Sequence, residues 1–311
     1  MSATLVFGHL NPDTDTTCSA IAYAWFLSQQ GAEATPRVLG PLNKETCYVL
    51  ERFEVGEPEL LSDIAQGTNV VIVDTNNPDE LPASIAGATI LEIVDHHKLV
   101  GGLKSSDPIT VTMRPVACTA TIIFERMQAV GMQPNKQIAG IMLSAILSDT
   151  LNFTSPTSTD VDKVVVDELA ALAEVDVQEL ADAQSAAKSD LTGLSHRDIL
   201  TQDSKVYPYG DVKVRVSILE TTKPENALAM LPELLSTANE MRKEEAVQGI
   251  FFFIVDIAKS EATLVITGDW ERQVAEKAFS TGVIDGLVHL PGMVSRKKQM
   301  LPALEVGIAA L

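Results

Sequence analysis

Apolar residues fall in two different rhythms along this chain. In the first half, short apolar runs recur: Leu5-Val6-Phe7 ending at Gly8, Val70-Val71-Ile72-Val73 ending at Asp74, and Ile90 to Val94, interrupted by Glu92, ending at Asp95. Runs of this kind read as strands buried on both faces, the signature of a parallel sheet. Shorter strands are expected over 35–39 and 109–114. Between them lie segments with helical spacing, over 15–29, 44–53, 118–130 and 135–149. In the last of these, Ile138, Met142, Ile146 and Asp149 share one face, which puts a carboxylate on an apolar stripe where it would be costly without a partner. Ser158-Thr159-Asp160 carries the capping residues that open a further helix, and an Ala-rich helix follows over 177–188.

The rhythm changes beyond residue 189. Residues 212–219 alternate like a half-exposed strand after a Tyr209-Gly210-Asp211 turn, and 250–257 with 262–267 read as a hairpin around Lys259-Ser260-Glu261. Single helices are expected over 225–243 and 270–279, and His289 to Val294 reads as a Pro-Gly loop. The pattern predicts an α/β chain: an N-terminal domain over 1–188 with a mainly parallel sheet flanked by helices, a linker at 189–194, and a smaller C-terminal α+β domain over 195–311 with a mixed or antiparallel sheet.

Charge and composition narrow the function. The 311 residues are 46% hydrophobic and carry a net charge of −19. Such a field disfavours long nucleic acids, which need many Lys and Arg contacts. No apolar run approaches the ~20 residues of a membrane span, and the N-terminus lacks the basic region of a signal peptide. Cys18, Cys47 and Cys118 are odd in number and irregularly spaced, as expected of reduced thiols in a cytoplasmic protein.

Candidate chemistry gathers where the apolar runs stop. His9, Asp13 and Asp15 follow the first strand, Asp74 ends a second, and Asp95, His96 and His97 end a third. In open α/β sheets ligands bind outside the carboxyl ends of the strands, so neighbouring strands would bring these groups together, and Asp149 could join them from its helix end. One Asp in a turn is ordinarily a turn former, and one His after a strand is ordinarily structural. Three strand ends carrying such residues are better explained by metal binding. Mixed imidazole and carboxylate ligation suits Mn²⁺, Co²⁺, Fe²⁺ or Zn²⁺. Two ions ~3.5–4 Å apart would bring a bridging water toward neutral pKa for in-line attack on phosphorus. Near the end, Ser295-Arg296-Lys297-Lys298-Gln299 is a cationic block in an acidic chain, equally readable as solvated surface or as a phosphate grip. Lys205 could add a further cation.

These segments resemble the family II, manganese-dependent inorganic pyrophosphatases of the DHH phosphoesterase superfamily. The resemblance spans essentially the whole chain. It rests on Gly-His-Leu-Asn-Pro-Asp-Thr-Asp at 8–15, Val-Asp-Thr-Asn at 73–76, Asp-His-His-Lys at 95–98, Ser-Asp-Thr at 148–150 and Ser-Arg-Lys-Lys-Gln at 295–299. It implies a soluble enzyme that hydrolyses pyrophosphate to two phosphates through a metal-bridging hydroxide, with the domains closing over the substrate. One ion would be held by His9, Asp13 and Asp74, the other by Asp15, Asp74, His96 and Asp149. His97 would contact substrate and deliver a proton, Asp95 would orient the histidines that follow it, and Lys205, Arg296 and Lys297 would hold the phosphates. Mn²⁺ or Co²⁺ at two sites, Mg²⁺ arriving with substrate, and a homodimer are also implied. The alternatives are another DHH phosphoesterase, acting on short oligonucleotides, 3′-phosphoadenosine phosphate or polyphosphate, and a non-catalytic metal or phosphate sensor.

Overall fold

The computed structural model describes residues 3–311. The chain divides into a first unit ending at Ala187 and a second running from Lys188 to Leu311.

The first unit is built on six strands, β1 (Thr4–Phe7), β2 (Ala34–Val38), β3 (Glu59–Leu60), β4 (Asn69–Val73), β5 (Thr89–Asp95) and β6 (Thr110–Met113), in the order β3-β2-β1-β4-β5-β6. Every pairing is parallel. Six helices accompany them: α1 (Thr14–Gln29), α2 (Lys44–Arg52), α3 (Thr119–Ala129), α4 (Lys136–Thr150), α5 (Asp160–Ala173) and α6 (Val177–Lys188). Strand alternation sorts the core into two faces. Val6, Val71, Val73 and Val94 face α1, α3 and α4, while Phe7, Val70, Ile72, Ile90 and Ile93 face loops and short 3₁₀ turns. Twelve of the 16 residues of α1 are buried, so it is an interior helix and not a surface amphipath. Tyr23 on α1 donates to Glu92 on β5 at 2.5 Å, and Arg126 on α3 holds the same carboxylate while lying over the Tyr23 ring.

The second unit contains β7 (Asp203–Tyr209), β8 (Val212–Thr221), β9 (Gly249–Asp256), β10 (Glu261–Val265) and β11 (Leu287–Pro291), ordered β11-β10-β9-β8-β7. The sheet is mixed: β8 and β9 are parallel and the other pairings antiparallel. Its helices are α7 (His196–Thr201), α8 (Pro224–Leu228), α9 (Leu231–Glu244), α10 (Asp269–Ala278) and α11 (Leu301–Ala309). Lys188 and Ser189 are fastened to this unit, Lys188 to Glu220 at 2.7 Å and Ser189 by accepting the Thr222 N–H at 2.8 Å.

Three sequence expectations are corrected here. The helix expected over 225–243 is two helices, because Pro232 stands in the first turn of α9, where its missing N–H is harmless; within one continuous helix it would break the ladder. The segment read as a Pro-Gly loop holds β11, with Pro291 at the end of an edge strand, a place that tolerates proline. Residues 212–219 belong to an interior strand, mostly buried, and not to a half-exposed one. Among the described residues no helix is long and apolar enough to cross a membrane.

Candidate metal centre

The chain runs from β1 outward to β2 and β3, then returns to the other side of β1 as β4. That reversal opens a crevice at the carboxyl ends of β1 and β4, the usual ligand position of such sheets. His9 comes two residues after β1, Asp74 directly after β4, and Asp95 closes β5 with His96 and His97 behind it. Gly8 makes the close approach possible, since a β-carbon there would stand 2.7 Å from Thr16 Cγ2 and 2.8 Å from the Val73 carbonyl oxygen. Asn11 and Asp74 adopt left-handed backbone, φ 55° and 57°, which side chains other than glycine seldom do and which concentrates at functional sites.

The side chains converge. His9 Nε2 lies 3.4 Å from Asp13 Oδ2 and 3.5 Å from Asp74 Oδ2. His96 Nε2 lies 3.4 Å from Asp74 Oδ1 and 3.7 Å from Asp149 Oδ2. These separations are long for hydrogen bonds. They suit neighbouring ligand atoms on one ion, which at bond lengths near 2.1 Å stand about 3.0–3.4 Å apart. His9–Asp13–Asp74 and Asp15–His96–Asp149 each bring three ligand atoms within 4.8 Å of one another and could hold a metal. A third trio, Asp74–His96–His97, meets the same distance. It is a poorer metal set, because His97 Nδ1 is 2.8 Å from Asp95 Oδ1 and a carboxylate can only accept, so that nitrogen carries the proton.

The candidate ligand nitrogens are aimed from behind. His9 Nδ1 donates to Leu10 O at 2.8 Å and His96 Nδ1 to Val116 O at 3.1 Å, which turns each Nε2 toward the carboxylates. Of the two histidines that follow Asp95, His97 is hydrogen-bonded to its carboxylate and His96 to the Val116 carbonyl. Asp95 is itself fixed by Asn76, whose amide donates to it at 2.5 Å and to Lys98 O at 3.0 Å while its oxygen accepts from Val100 N. Thr16 and Thr119 donate to the two oxygens of Asp74 at 2.6 and 3.1 Å. Asp15 accepts from Ser19 and from the first backbone N–H groups of α3, Thr119 N at 2.7 Å and Ala120 N at 3.2 Å. Buried Asp162 secures that loop by accepting from Ala117 N and Thr121 Oγ1. Thr16, Thr119 and Asp162 went unread in the sequence, and Asn76 was read only as part of the 73–76 motif, since each acts across tens of residues.

Electrostatics distinguish the carboxylates. Burial, and then the charge of Asp74, push Asp15 up to about 7. Burial would raise Asp74 too, but His9, His96 and His97 hold it well below the usual carboxylate range. Asp13 is likewise depressed, burial being outweighed by His9. Crowded acids of which one cannot readily ionise are relieved by a cation among them. Burial raises the nearby Cys18 and Cys118 thiols, so the donor set is oxygen and imidazole without thiolate. The residues fit divalent manganese or a similar ion.

In the second unit the cationic block is a π-type turn, Arg296–Met300, opened by Ser295, whose hydroxyl accepts from Lys298 N. Gln299 laces the turn, its oxygen accepting from Val294 N and Ser295 N and its amide donating to Gly292 O. Arg296 is largely buried and pairs through Nη1 with Asp203 of β7 at 2.6 Å. Lys205 lies two residues further along β7, and Lys297 is exposed.

Residues 3–146 match the DHH family, N-terminal domain, and residues 182–306 the DHHA2 domain. Proteins of Bacillus licheniformis and Deinococcus radiodurans, assigned as manganese-dependent inorganic pyrophosphatases, are 37% and 38% identical over 305 residues; the alignments cover 98% of both chains in the first case, and 96% of this chain and 97% of the relative in the second. The crystal structure of a Methanococcus jannaschii protein assigned as a family II inorganic pyrophosphatase matches with TM-score 0.86 at 34% identity, covering 98% of this chain and 99% of that one. An exopolyphosphatase-related protein of Bacteroides fragilis, at TM-score 0.51 and 16% identity over 98% of this chain and 92% of its own, shares the fold. With full-length similarity and fold in agreement, this chain belongs to the family of manganese-dependent, family II inorganic pyrophosphatases.

Proposed function

We propose that the chain is a metal-dependent diphosphatase that hydrolyses pyrophosphate to two phosphates. His9, Asp13 and Asp74 would hold one Mn²⁺, and Asp15, His96 and Asp149 the other, with Asp74 reaching both. When bound, such a pair supplies an acidified water for attack on phosphorus and polarises the phosphoryl oxygens. The observation that carries the reading is Asp74, fully buried at the switch point with one oxygen toward His9 and the other toward His96.

The chain's own groups do the rest. Asp95 keeps the Nδ1 proton on His97, so Nε2 is the nitrogen that meets substrate and manages the proton on the departing phosphate. Pyrophosphate hydrolysis is governed by charge neutralisation and positioning. Arg296, Lys297 and Lys205 would supply the phosphate contacts of the substrate-binding unit, the Arg as a planar fork and the Lys residues as point charges. Closure of the second unit over the first, exclusion of water, Co²⁺ as a substitute ion, Mg²⁺ accompanying substrate, a homodimer and a cytoplasmic location belong to the same proposal.

The test is metal-depleted protein titrated with Mn²⁺, Co²⁺, Zn²⁺ and Mg²⁺ while phosphate release is followed from pyrophosphate, tripolyphosphate and a short oligonucleotide. Release from pyrophosphate, restored by Mn²⁺ and exceeding that from the others, is the expected result. Preference for the oligonucleotide or tripolyphosphate would assign the chain to a different phosphoesterase activity, and no release from any would leave a metal-binding sensor.

A further inference from the structure

Glu45 opens α2 and belongs to neither metal group, yet it is 4% exposed. One of its oxygens, Oε2, accepts from two helices at once: Thr14 Oγ1 of α1 at 3.0 Å and Ser148 Oγ of α4 at 2.9 Å. Its other oxygen faces the Gln184 amide of α6 at 3.4 Å, and that amide also donates to Ser144 O at 3.0 Å. Thr14 is further tied to Thr46, the next residue of α2, at 3.1 Å.

The neighbours of these hydroxyls give the contact its meaning. Thr14 stands between Asp13 and Asp15, and Ser148 directly precedes Asp149. Asp15 and Asp149 belong to the same group, with His96. We infer that Glu45 is a positioning residue that sets the distance between Asp15 and Asp149, and so the grip of that group on its ion. This deepens the metal reading above and rests on it.

The other group has a separate support. Asp13 is fixed as the cap of α1 by Thr16 N at 2.9 Å, His9 by Leu10 O, and Asp74 by Thr16 and Thr119. Within the Asp15 group, Asp15 has Ser19 and the start of α3, and His96 has Val116 O. What Glu45 adds is the tie from the first turn of α1 to the last turn of α4, which carries Asp149. A carboxylate accepting two hydroxyls in a buried setting is a strong anchor, and partners of metal ligands change affinity by roughly 10- to 100-fold when removed.

The experiment is Mn²⁺ binding to metal-free protein, read by electron paramagnetic resonance of the uncomplexed ion, for wild type, Glu45→Ala, Glu45→Gln and Ser148→Ala. In Glu45→Ala one of the two Mn²⁺ equivalents weakens by about 10- to 100-fold and the other keeps its affinity. Glu45→Gln, which retains an oxygen for both hydroxyls, recovers most of the loss. Wild-type affinity at both equivalents in Glu45→Ala, or equal weakening of both, overturns the inference; so does a Gln variant without recovery, which would assign the loss to charge. If circular dichroism shows Glu45→Ala unfolded, Ser148→Ala decides by the same reading: one equivalent weakens, or the inference fails. Wild-type protein that takes up no Mn²⁺ is a different failure, that of the metal reading itself.

Discussion

The candidate metal-binding groups of the first unit gather at the ends of adjacent parallel strands and of α1 and α4, whereas the candidate phosphate-binding cations of the second stand on a π-type turn and an edge strand. In the first, ladder register spaces His9, Asp74 and His96 in steps of about 5 Å, the separation of neighbouring strands. In the second, spacing comes from side-chain ties: Ser295 and Gln299 hold the turn, and Asp203 holds Arg296. One region concentrates buried acceptors, the other donors. Backbone-set sites fail when a ligand is lost; tie-set sites fail when a tie is lost.

Replacing Asp74 strikes the first region hardest. Asp74→Asn should abolish uptake of both Mn²⁺ equivalents and lower phosphate release from pyrophosphate by about a thousandfold or more, checked by metal analysis after gel filtration and by steady-state rates. A variant that keeps both ions would break the shared-carboxylate picture. Next comes Arg296→Ala, which should take up Mn²⁺ as wild type does while kcat/KM for pyrophosphate falls about 10²- to 10³-fold, with Lys at the position a poor substitute. Unchanged kinetics would mean the cationic turn is surface alone. Smaller again is Asp203→Ala, where the guanidinium remains but loses its anchor. A decrease in kcat/KM on the order of tenfold, with metal uptake unaltered, is expected, and no decrease would show that the turn alone aims Arg296.

The smallest effect separates the acids of the first region from one another. Asp15 is raised from 3.8 to about 7, so metal-free folded protein keeps a proton that the unfolded chain releases near pH 4. The stability this contributes is fully present below about pH 3.8 and is lost as pH rises through 7. Asp13 and Asp74 are depressed, and their contribution runs the other way, present above 3.8 and lost below it. Between pH 5 and 8, thermal melts of metal-free protein should therefore fall with rising pH, and Asp15→Asn should flatten the slope. A slope unchanged by that substitution would remove Asp15 as its source.

Legibility in the sequence followed the range of the interactions. β1 and β4 were readable as continuous apolar runs and β5 as a run interrupted at Glu92, and the candidate ligands His9, Asp74 and His96 were readable because they follow those runs. β7 and β11 were not: both are edge strands, and Pro208 and Pro291 mask them. Gln299 of the cationic block stitches the turn together, a role that the sequence does not show. Glu45 and Thr119 carry no signal, because their partners lie 31 and 45 residues away and only the folded chain introduces them; Asn76 was visible as part of the 73–76 motif, but its hold on Asp95 was not. Motif resemblance reached Lys205 and Arg296, but nothing in a motif announces that Arg296 already has a carboxylate partner.

The enclosure of α1 has a kinetic corollary. Asp15 and Thr16 ride on the first turn of a helix wrapped on nearly all sides, so their amide protons can meet solvent only when the surrounding layers part. Deuterium should therefore enter residues 16–24 among the slowest in the molecule even when manganese is stripped away. Cation loading would then be the filling of a preformed cradle, its pace governed by side-chain and loop movements and not by refolding of the helix.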